Sequence, residues 1–288
     1  MISIVQLGVI GYADGLRLQQ KLVDLRKAGE IGDVLLLLEH SPVITLGRNA
    51  KAANVLASTD ALAARGVEVF ECDRGGDVTF HGPGQLVGYP IFDLGSHELL
   101  PLDGDLRSRN FADKSVRATR QTRKTLGVVD YVRRLEAVLI RTCGDFGISA
   151  ARIGGLTGVW TETHAVETGP RPHTTAEAKI AALGVHISRS VTSHGFALNV
   201  NTDLSFFNLI VPCGITAKPV TSMQNELGRD VDMQEVANSV SRNFGSVFGS
   251  QMLWVDTIDA LLGNTVGLPM KAPVELRRLS GQDDLLQG

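Results

Sequence analysis

Cysteine is scarce in this chain. Three thiols, Cys72, Cys143 and Cys213, are scattered through 288 residues, which gives neither a disulfide framework nor a Cys-x-x-Cys metal spacing. A reducing cytoplasm is the expected setting. Long apolar runs are missing as well. The longest purely aliphatic stretch, Val34 to Leu38, falls far short of the ~20 residues that cross a bilayer, so no membrane association is expected. The opening "MISIVQLGVI" carries no basic segment, so no secretory signal is read there. No charge of one sign dominates. The 28 basic and 31 acidic residues leave −3, and no global field argues for nucleic acid. Internal repeats and the G-x-x-x-x-G-K-[ST] phosphate loop are absent from the sequence. A hydrophobic content of 43% with 20% charged residues is enough for a globular protein with a sizeable core.

Within that frame, periodicity assigns elements. Leu18, Leu22 and Leu25 repeat at helical spacing over Asp14–Glu30, and Gly29 or Gly32 closes the helix. "DVLLLLEH" reads as a buried strand, "PVITLG" as a second one and "VEVFEC" as a third. Ser58 or Thr59 caps a short helix between them. Asp130–Gly147 is the clearest helix, with Tyr131, Leu135, Val138, Leu139, Thr142 and Phe146 on one face. "GVW" (Gly158–Trp160) is a short strand, and Lys179–Val200 holds two or three more. Asp232 with Glu235 three residues on opens a last helix carrying Val236, Val240, Phe244, Val247 and Phe248. Short strands interleaved with helices predict a mixed α+β fold, largely antiparallel sheets flanked by helices. One catalytic domain is expected over residues 1–250, with inserted loops at 96–129 and 161–175, followed by a C-terminal extension over 251–288. No apolar stripe is left without a core to join, which points to a monomer.

The densest signal is "RGGDVTFHGPGQ", Arg74 to Gln85, with four glycines in twelve residues. Gly82, Gly84 and Gly88 are spaced one residue too far apart for the dinucleotide fingerprint, and the segment leads into a strand rather than a helix N-terminus. The glycines therefore serve tight turns and a close backbone approach. Val78 and Phe80 alternate with Thr79 and His81 as in a strand, and Pro83-Gly84 favours a type II turn. The strand "LVGYPIFDL" follows, placed near an edge or a bulge by Pro90. The motif is expected to be a hairpin.

Read together, "RGGDVTFHGPGQLVGYP", "KIAALGVHISRSVTSHGFALNV" and "DLSFFNLIVPCGI", in this order, resemble the lipoyl(octanoyl) transferases, the octanoyl-acyl-carrier-protein:protein N-octanoyltransferases. The resemblance spans roughly Val34 to Leu227, and "GVW" and "YVRRLEAVLI" fit it too. It implies the fold of the biotin and lipoate protein ligase catalytic domains. It implies transfer of an octanoyl or lipoyl group from acyl carrier protein to a lysine of a lipoyl domain, in 2-oxo acid dehydrogenases or the glycine cleavage carrier protein, without a cofactor or metal. It implies Cys213, in the Pro-Cys-Gly loop, as nucleophile and Lys179 as its catalytic partner. It also implies an acyl site formed by Arg74, Gly75, Gly76, Asp77, Val78, Thr79, Phe80 and His81, by Ala182, Leu183 and Gly184, and by Gly195, Phe196 and Ala197.

The chemistry of these residue types fits such roles. A thioester donor is already activated, so transfer onto a thiolate needs no ATP. A free thiol near pKa ~8.5 is mostly protonated at neutral pH, and a nearby ammonium favours the thiolate. Local pattern alone leaves other roles open. Cys143 reads as a small buried hydrophobe on its helix, Cys72 as an inert strand end, and Lys179 as an ordinary solvated lysine. His81 and His194, each before a glycine, are assigned to the pocket and not to the nucleophile's base. Arg74 also reads as structural, closing the hairpin through hydrogen bonds to carbonyls, and Trp160 and Phe196 are core candidates. Asn199 reads as a hydrogen-bonding pocket or loop residue. An ATP-dependent lipoate or biotin protein ligase is the nearest alternative, followed by a cysteine hydrolase and a binding module. The chain departs from the family pattern in the long segment Ser96–Val129, in the loop Thr161–Thr175 and at Ser190. Arg107–Lys124 holds seven basic residues and one acidic, a +6 stretch that reads first as a solvated, disordered loop and, as the alternative, as a surface that would steer an acidic carrier.

Overall fold

The run Val34-Leu35-Leu36-Leu37-Leu38 is apolar without alternation because both faces of its strand are covered. In the computed structural model, which describes residues 1–97, 125–162, 165–166, 173–174, 177–212 and 218–266, this run forms β2 (Asp33–His40) inside a sheet of eight strands. Leu35 and Leu37 face one core, with Leu135, Val138 and Leu139 of α3 (Val128–Asp145) and Val236, Val240 and Phe244 of α5 (Met233–Phe248). Val34, Leu36 and Leu38 face the other, with Leu18 and Leu22 of α1 (Tyr12–Lys27) and Ile258, Leu261 and Leu262 of α6 (Ile258–Val266).

The sheet runs β13 (Met252–Trp254), β1 (Ile2–Ile10), β2, β6 (Gln85–Ile91), β12 (Val191–Asn199), β11 (Lys179–Ser188), β8 (Leu156–Thr161), β7 (Ala150–Ile153). Only the β13–β1 and β1–β2 pairings are parallel; the rest are antiparallel. A second sheet orders β4 (Glu68–Glu71), β3 (Val43–Leu46), β5 (Val78–His81). A two-residue pair, β9 (Ala165–Val166) with β10 (His173–Thr174), lies in the loop before β11. The short helices α2 (Thr59–Ala64) and α4 (Met223–Leu227) complete the set among the described residues. This is the mixed, largely antiparallel α+β architecture that the sequence predicts. None of its helices among the described residues is long and apolar enough to cross a membrane.

Local signals hold where they are backbone signals. The Ser58 hydroxyl accepts the Ala61 N–H at the start of α2, and the Asp232 carboxylate accepts the Glu235 N–H at the start of α5. The Gly82 carbonyl accepts the Gln85 N–H, and Gly84 takes φ +80, as a type II turn requires. That turn does not close a hairpin. β5 pairs with β3 in the small sheet, whereas β6 pairs with β2 and β12 in the large one. The reason is burial: every residue of β6 is inaccessible, which only an interior strand covered on both faces permits.

Pro90 is likewise not at an edge. The β6–β12 ladder lapses after Gly88↔Phe196 and resumes at the Asp93↔Val191 bridge. Across the gap His194 adopts φ +55, and its N–H turns to the Gln19 side chain at 2.8 Å. The missing proline donor is thus matched by a partner strand that has turned its own donor away. Lys179–Val200 forms two strands joined by Arg189 and Ser190, both at positive φ. The segment from 251, read as an extension, supplies β13 to the main sheet and α6 to its covered face.

Candidate active site

A cavity of about 370 Å³ opens where β6, β11 and β12 of the large sheet meet the glycine segment after β4. Gly155 of the β7–β8 turn and Leu156 and Thr157 at the start of β8 form part of its wall. Of the residues expected at a site, Arg74, Gly76, Asp77, Thr79, His81, Lys179, Ala182, Leu183, Gly184, Gly195, Phe196 and Ala197 line it. The structure does not bring Gly75, Val78 and Phe80 to that surface. The strand period decides this for β5: Thr79 and His81 face the cavity, while Val78 and Phe80 enter a separate core with Ile44, Leu62, Val67 and Ile210. Gly75 is spent on structure, its N–H bonded to the Val185 carbonyl.

The glycine segment is held by Arg74. This buried guanidinium donates to the carbonyls of Thr45, Gly75 and Asp77 and to the Thr45 hydroxyl, at 2.7–3.1 Å. The segment lies so close to β11 that a Cβ on Gly184 would stand 2.7 Å from the Gly75 carbonyl oxygen, a contact that no side chain allows. The glycines thus permit backbone-to-backbone approach around a cavity. Asp77 is occupied too, accepting from the Val78 N–H and from the Asn54 amide.

One end of the cavity is a wall of rings. Tyr12, His40, His81, Tyr89 and His194 lie within 5.2–6.4 Å of one another, centroid to centroid, in successive pairs. His40 donates from Nδ1 to the Ile10 carbonyl and accepts the Tyr89 hydroxyl at Nε2, 2.6 Å away. His81 donates from Nδ1 to the Gln85 side-chain oxygen at 2.7 Å; Gln85 in turn donates to Phe80 and Asn199. Burial above all pushes His40 down to about 4 and, with the nearby His40 and Arg74 charges, His81 down to about 3. Burial also lowers His194, against the pull of Asp73, whose carboxylate sits 2.7 Å from its Nε2. Burial lifts the hydroxyls of Tyr12 and Tyr89 well above the ordinary phenol range. The wall is therefore neutral.

At the other end stands Lys179, only 7% exposed. Its Nζ lies 4.9 Å from the centre of the Trp160 ring, a cation–π arrangement. Its backbone is fixed by the Pro219 carbonyl and the Thr221 N–H. An adjoining pocket shares Thr79, Lys179, Ala182 and Ala197 with the main cavity and is bounded by Asn199, Phe207, Pro212 and Val220. Cys213 lies outside the described residues, next in the chain after Pro212. The basic stretch 107–124 lies outside them as well. Cys143 is fully buried in α3, and burial pushes its thiol up to about 12. Cys72 is half-buried, its Sγ 3.4 Å from the Leu46 carbonyl oxygen. Among the described residues no three His, Cys, Asp or Glu side chains converge to hold a metal ion.

Tyr12, Val87, Tyr89 and Leu156 line the cavity without having been expected there. Val87 and Tyr89 belong to a strand that packs as core, while Tyr12 and Leu156 open α1 and β8 ahead of the elements that periodicity assigns; only the packing of sheet against glycine segment brings them to one concave surface.

Comparison with known proteins places this geometry. The lipoyl protein ligase A/B catalytic domain family matches residues 11–108 and 115–245. The octanoyltransferase of Koribacter versatilis is 55% identical over 288 residues, covering 100% of both chains. That of Acidobacterium capsulatum is 52% identical over 265 residues, 91% of this chain and 96% of the relative. Among solved structures, lipoate-protein ligase A bound with ATP superposes with a TM-score of 0.61 at 14% identity, over 98% of this chain and 94% of that one. A bi-partite lipoate protein ligase from Thermoplasma acidophilum, solved with its E2 lipoyl domain, gives 0.59 at 16% identity, over 94% and 98%.

Proposed function

Because the chain belongs to the lipoyl protein ligase A/B catalytic-domain family and is an acyltransferase of the octanoyltransferase kind, we propose that it carries an octanoyl group from the thioester of acyl carrier protein to a lysine of a lipoyl domain, through a thioester on Cys213. The observation that carries this reading is the position of Lys179. It stands where the apolar groove of Ala182 and Ala197 continues into the pocket bounded by Pro212, the residue before Cys213.

The steps follow from this arrangement. Lys179 as amine takes the Cys213 proton, and the resulting ammonium stabilises the thiolate. The thiolate attacks the thioester carbonyl. As the C–S bond to the carrier breaks, Lys179 returns its proton to the departing thiol. The acceptor amine then attacks the Cys213 thioester, Lys179 removes its surplus proton, and the cysteine leaves as thiolate. One thioester is exchanged for another and then for an amide, so no ATP or cofactor is consumed. Leu183, Phe196 and Ala197 hold the eight-carbon chain, with the neutral ring wall as its stop. The protein acts as a cytoplasmic monomer, and its donor and acceptor reach the site in turn.

Intact mass after incubation with octanoyl-acyl carrier protein, without acceptor or ATP, tests the reading. A gain of one octanoyl group is expected, released by hydroxylamine and absent in Cys213→Ser. No adduct from a folded protein, with octanoylation of a lipoyl domain only when ATP and octanoate are supplied, would replace it with an ATP-dependent ligase.

A further inference from the structure

Glu136, on α3, is a carboxylate with no exposure at all, covered by the half-exposed side chains of Arg133 and Arg152. Its Oε2 accepts from Arg133 at 2.8 Å and from Arg152 at 3.0 Å. Its Oε1 faces the opposite way and accepts the backbone N–H of Gly158 at 3.2 Å. A buried carboxylate is maintained only where its partners are fixed, so this group ties three elements together: α3, β7 through Arg152, and β8 through Gly158.

Gly158 is where β8 loses its regular register. Against β7, the pairing passes from Ala151↔Trp160 to Ile153↔Leu156, and against β11 it passes from Lys179↔Trp160 to Ala181↔Val159. The β7–β8 ladder therefore slips across residues 157–159, around Gly158, while the β8–β11 ladder slips one step away, where Ile180 is the extra residue on β11; both have the geometry of a β-bulge. Gly158 adopts φ +135, and a Cβ there would stand 3.0 Å from the Lys179 Cε and 3.0 Å from the Ala181 carbonyl oxygen. The stem of Lys179 therefore runs through the space that the absent side chain leaves, with the Trp160 ring beyond it. An amide freed from a ladder by a bulge needs another acceptor, and Glu136 supplies it.

We propose that Glu136 is a positioning residue for the reaction: by holding the Gly158 bulge in place it fixes where the Lys179 amine stands. This rests on the reading of Lys179 as the proton carrier. Glu136 touches neither substrate nor the reacting atoms, and its whole effect passes through the backbone of β8.

The test is steady-state octanoyl transfer by the full chain, with octanoyl-acyl carrier protein and a lipoyl domain, for Glu136→Ala, Gly158→Ala and the double variant. Glu136→Ala should lower kcat at least tenfold with the donor KM within twofold, and should displace the pH profile of kcat. Gly158→Ala should do the same from the strand side. If both act through one contact, the double variant is no slower than the slower single one. If Glu136→Ala does not fold, the isosteric Glu136→Gln replaces it, since its amide cannot satisfy both Gly158 and the two guanidinium groups. Variants that lose only thermal stability, with kcat within twofold and an unmoved pH profile, overturn the inference; so does a double variant whose losses multiply. Lys179→Ala is measured alongside. Its inactivity beside an unimpaired Glu136→Ala overturns the positioning role alone. Full activity of Lys179→Ala overturns the reading beneath it as well.

Discussion

At one end of the cavity a lysine amine lies 4.9 Å from an indole centre; at the other, three imidazoles and two phenols pack ring against ring. Histidine is the usual choice for moving protons near neutral pH, and lysine is the usual surface residue. Here the positions are exchanged. The histidines are buried and pushed below their ordinary value, His81 to about 3 and His40 to about 4, so they are uncharged walls. The lysine is buried beside the face of the Trp160 ring. Residue type alone therefore misleads about which end is suited to chemistry, and environment decides.

The comparison breaks most visibly in the rate. Lys179→Ala should lower kcat about 10²- to 10⁴-fold, the usual range for a positioned proton carrier, whereas His194→Gln should lower it less than about tenfold. Both are read from octanoyl transfer to a lipoyl domain. Equal losses would put the ring wall into the chemistry.

The next effect is on stability. In the unfolded chain His40 and His81 take a proton below about pH 6.5, but in the fold they resist it to about 4 and about 3. The unfolded state thus binds more protons through that window, so stability is full above pH 6.5 and is lost as the pH falls. Each histidine should account for about 2 kcal/mol of loss by pH 5. Urea unfolding at pH 7.5 and 5 measures it, and His81→Gln should flatten the dependence. A dependence as steep in that variant would mean that His81 is protonated in the native wall.

Much of the fold was legible because its signals are local. Ser58 and Asp232 cap helices through their own side chains, and the continuous apolar run of β2 announces a strand covered on both faces. What was not legible depends on distant partners. Nothing in "GPG" tells that the chain leaves one sheet for another there, since a type II turn serves a hairpin and a crossing equally. Pro90 reads as an edge residue until His194 is seen turning its N–H to Gln19. The site divides the same way. The alternation over Val78–His81 already separates Thr79 and His81 from Val78 and Phe80, which a contiguous motif does not. The burial of Lys179 and the ring wall around Tyr12 arise only when β11, β8 and α1 are assembled, and no spacing within one element encodes them.

A smaller change sharpens the division within the cavity itself. Ala182 and Ala197 face each other across β11 and β12 and both line the space between its two ends. Ala182→Leu should fill part of it and raise the KM for the octanoyl donor about tenfold, equivalent to about 1.4 kcal/mol, while a butanoyl donor is used as in the parent. An equal penalty for both donors would mean that the acyl chain lies elsewhere.

The smallest effect concerns the outer edge of the ring wall. Asp73 accepts from His194 Nε2 at 2.7 Å and lies 3.4 Å from His186, yet its own side chain is 57% exposed. His194 and His186 lower the Asp73 carboxyl against the opposing pull of burial, so the group is an anion at neutral pH. With His194 held neutral by burial, the contact is a hydrogen bond from an imidazole N–H to an oxygen, and much of the charge is screened by solvent. Asn offers the same oxygen. Asp73→Asn should therefore change stability by less than about 1 kcal/mol and leave kcat within twofold, by thermal unfolding and by the transfer assay at pH 7.5. The prediction is informative because it is small. If His194 moved protons during turnover, Asp73 would be the group that orients it and stabilises its cation, and removing that charge would slow the reaction far beyond twofold. A near-silent Asp73→Asn beside a disabled Lys179→Ala leaves proton transfer at the lysine end alone.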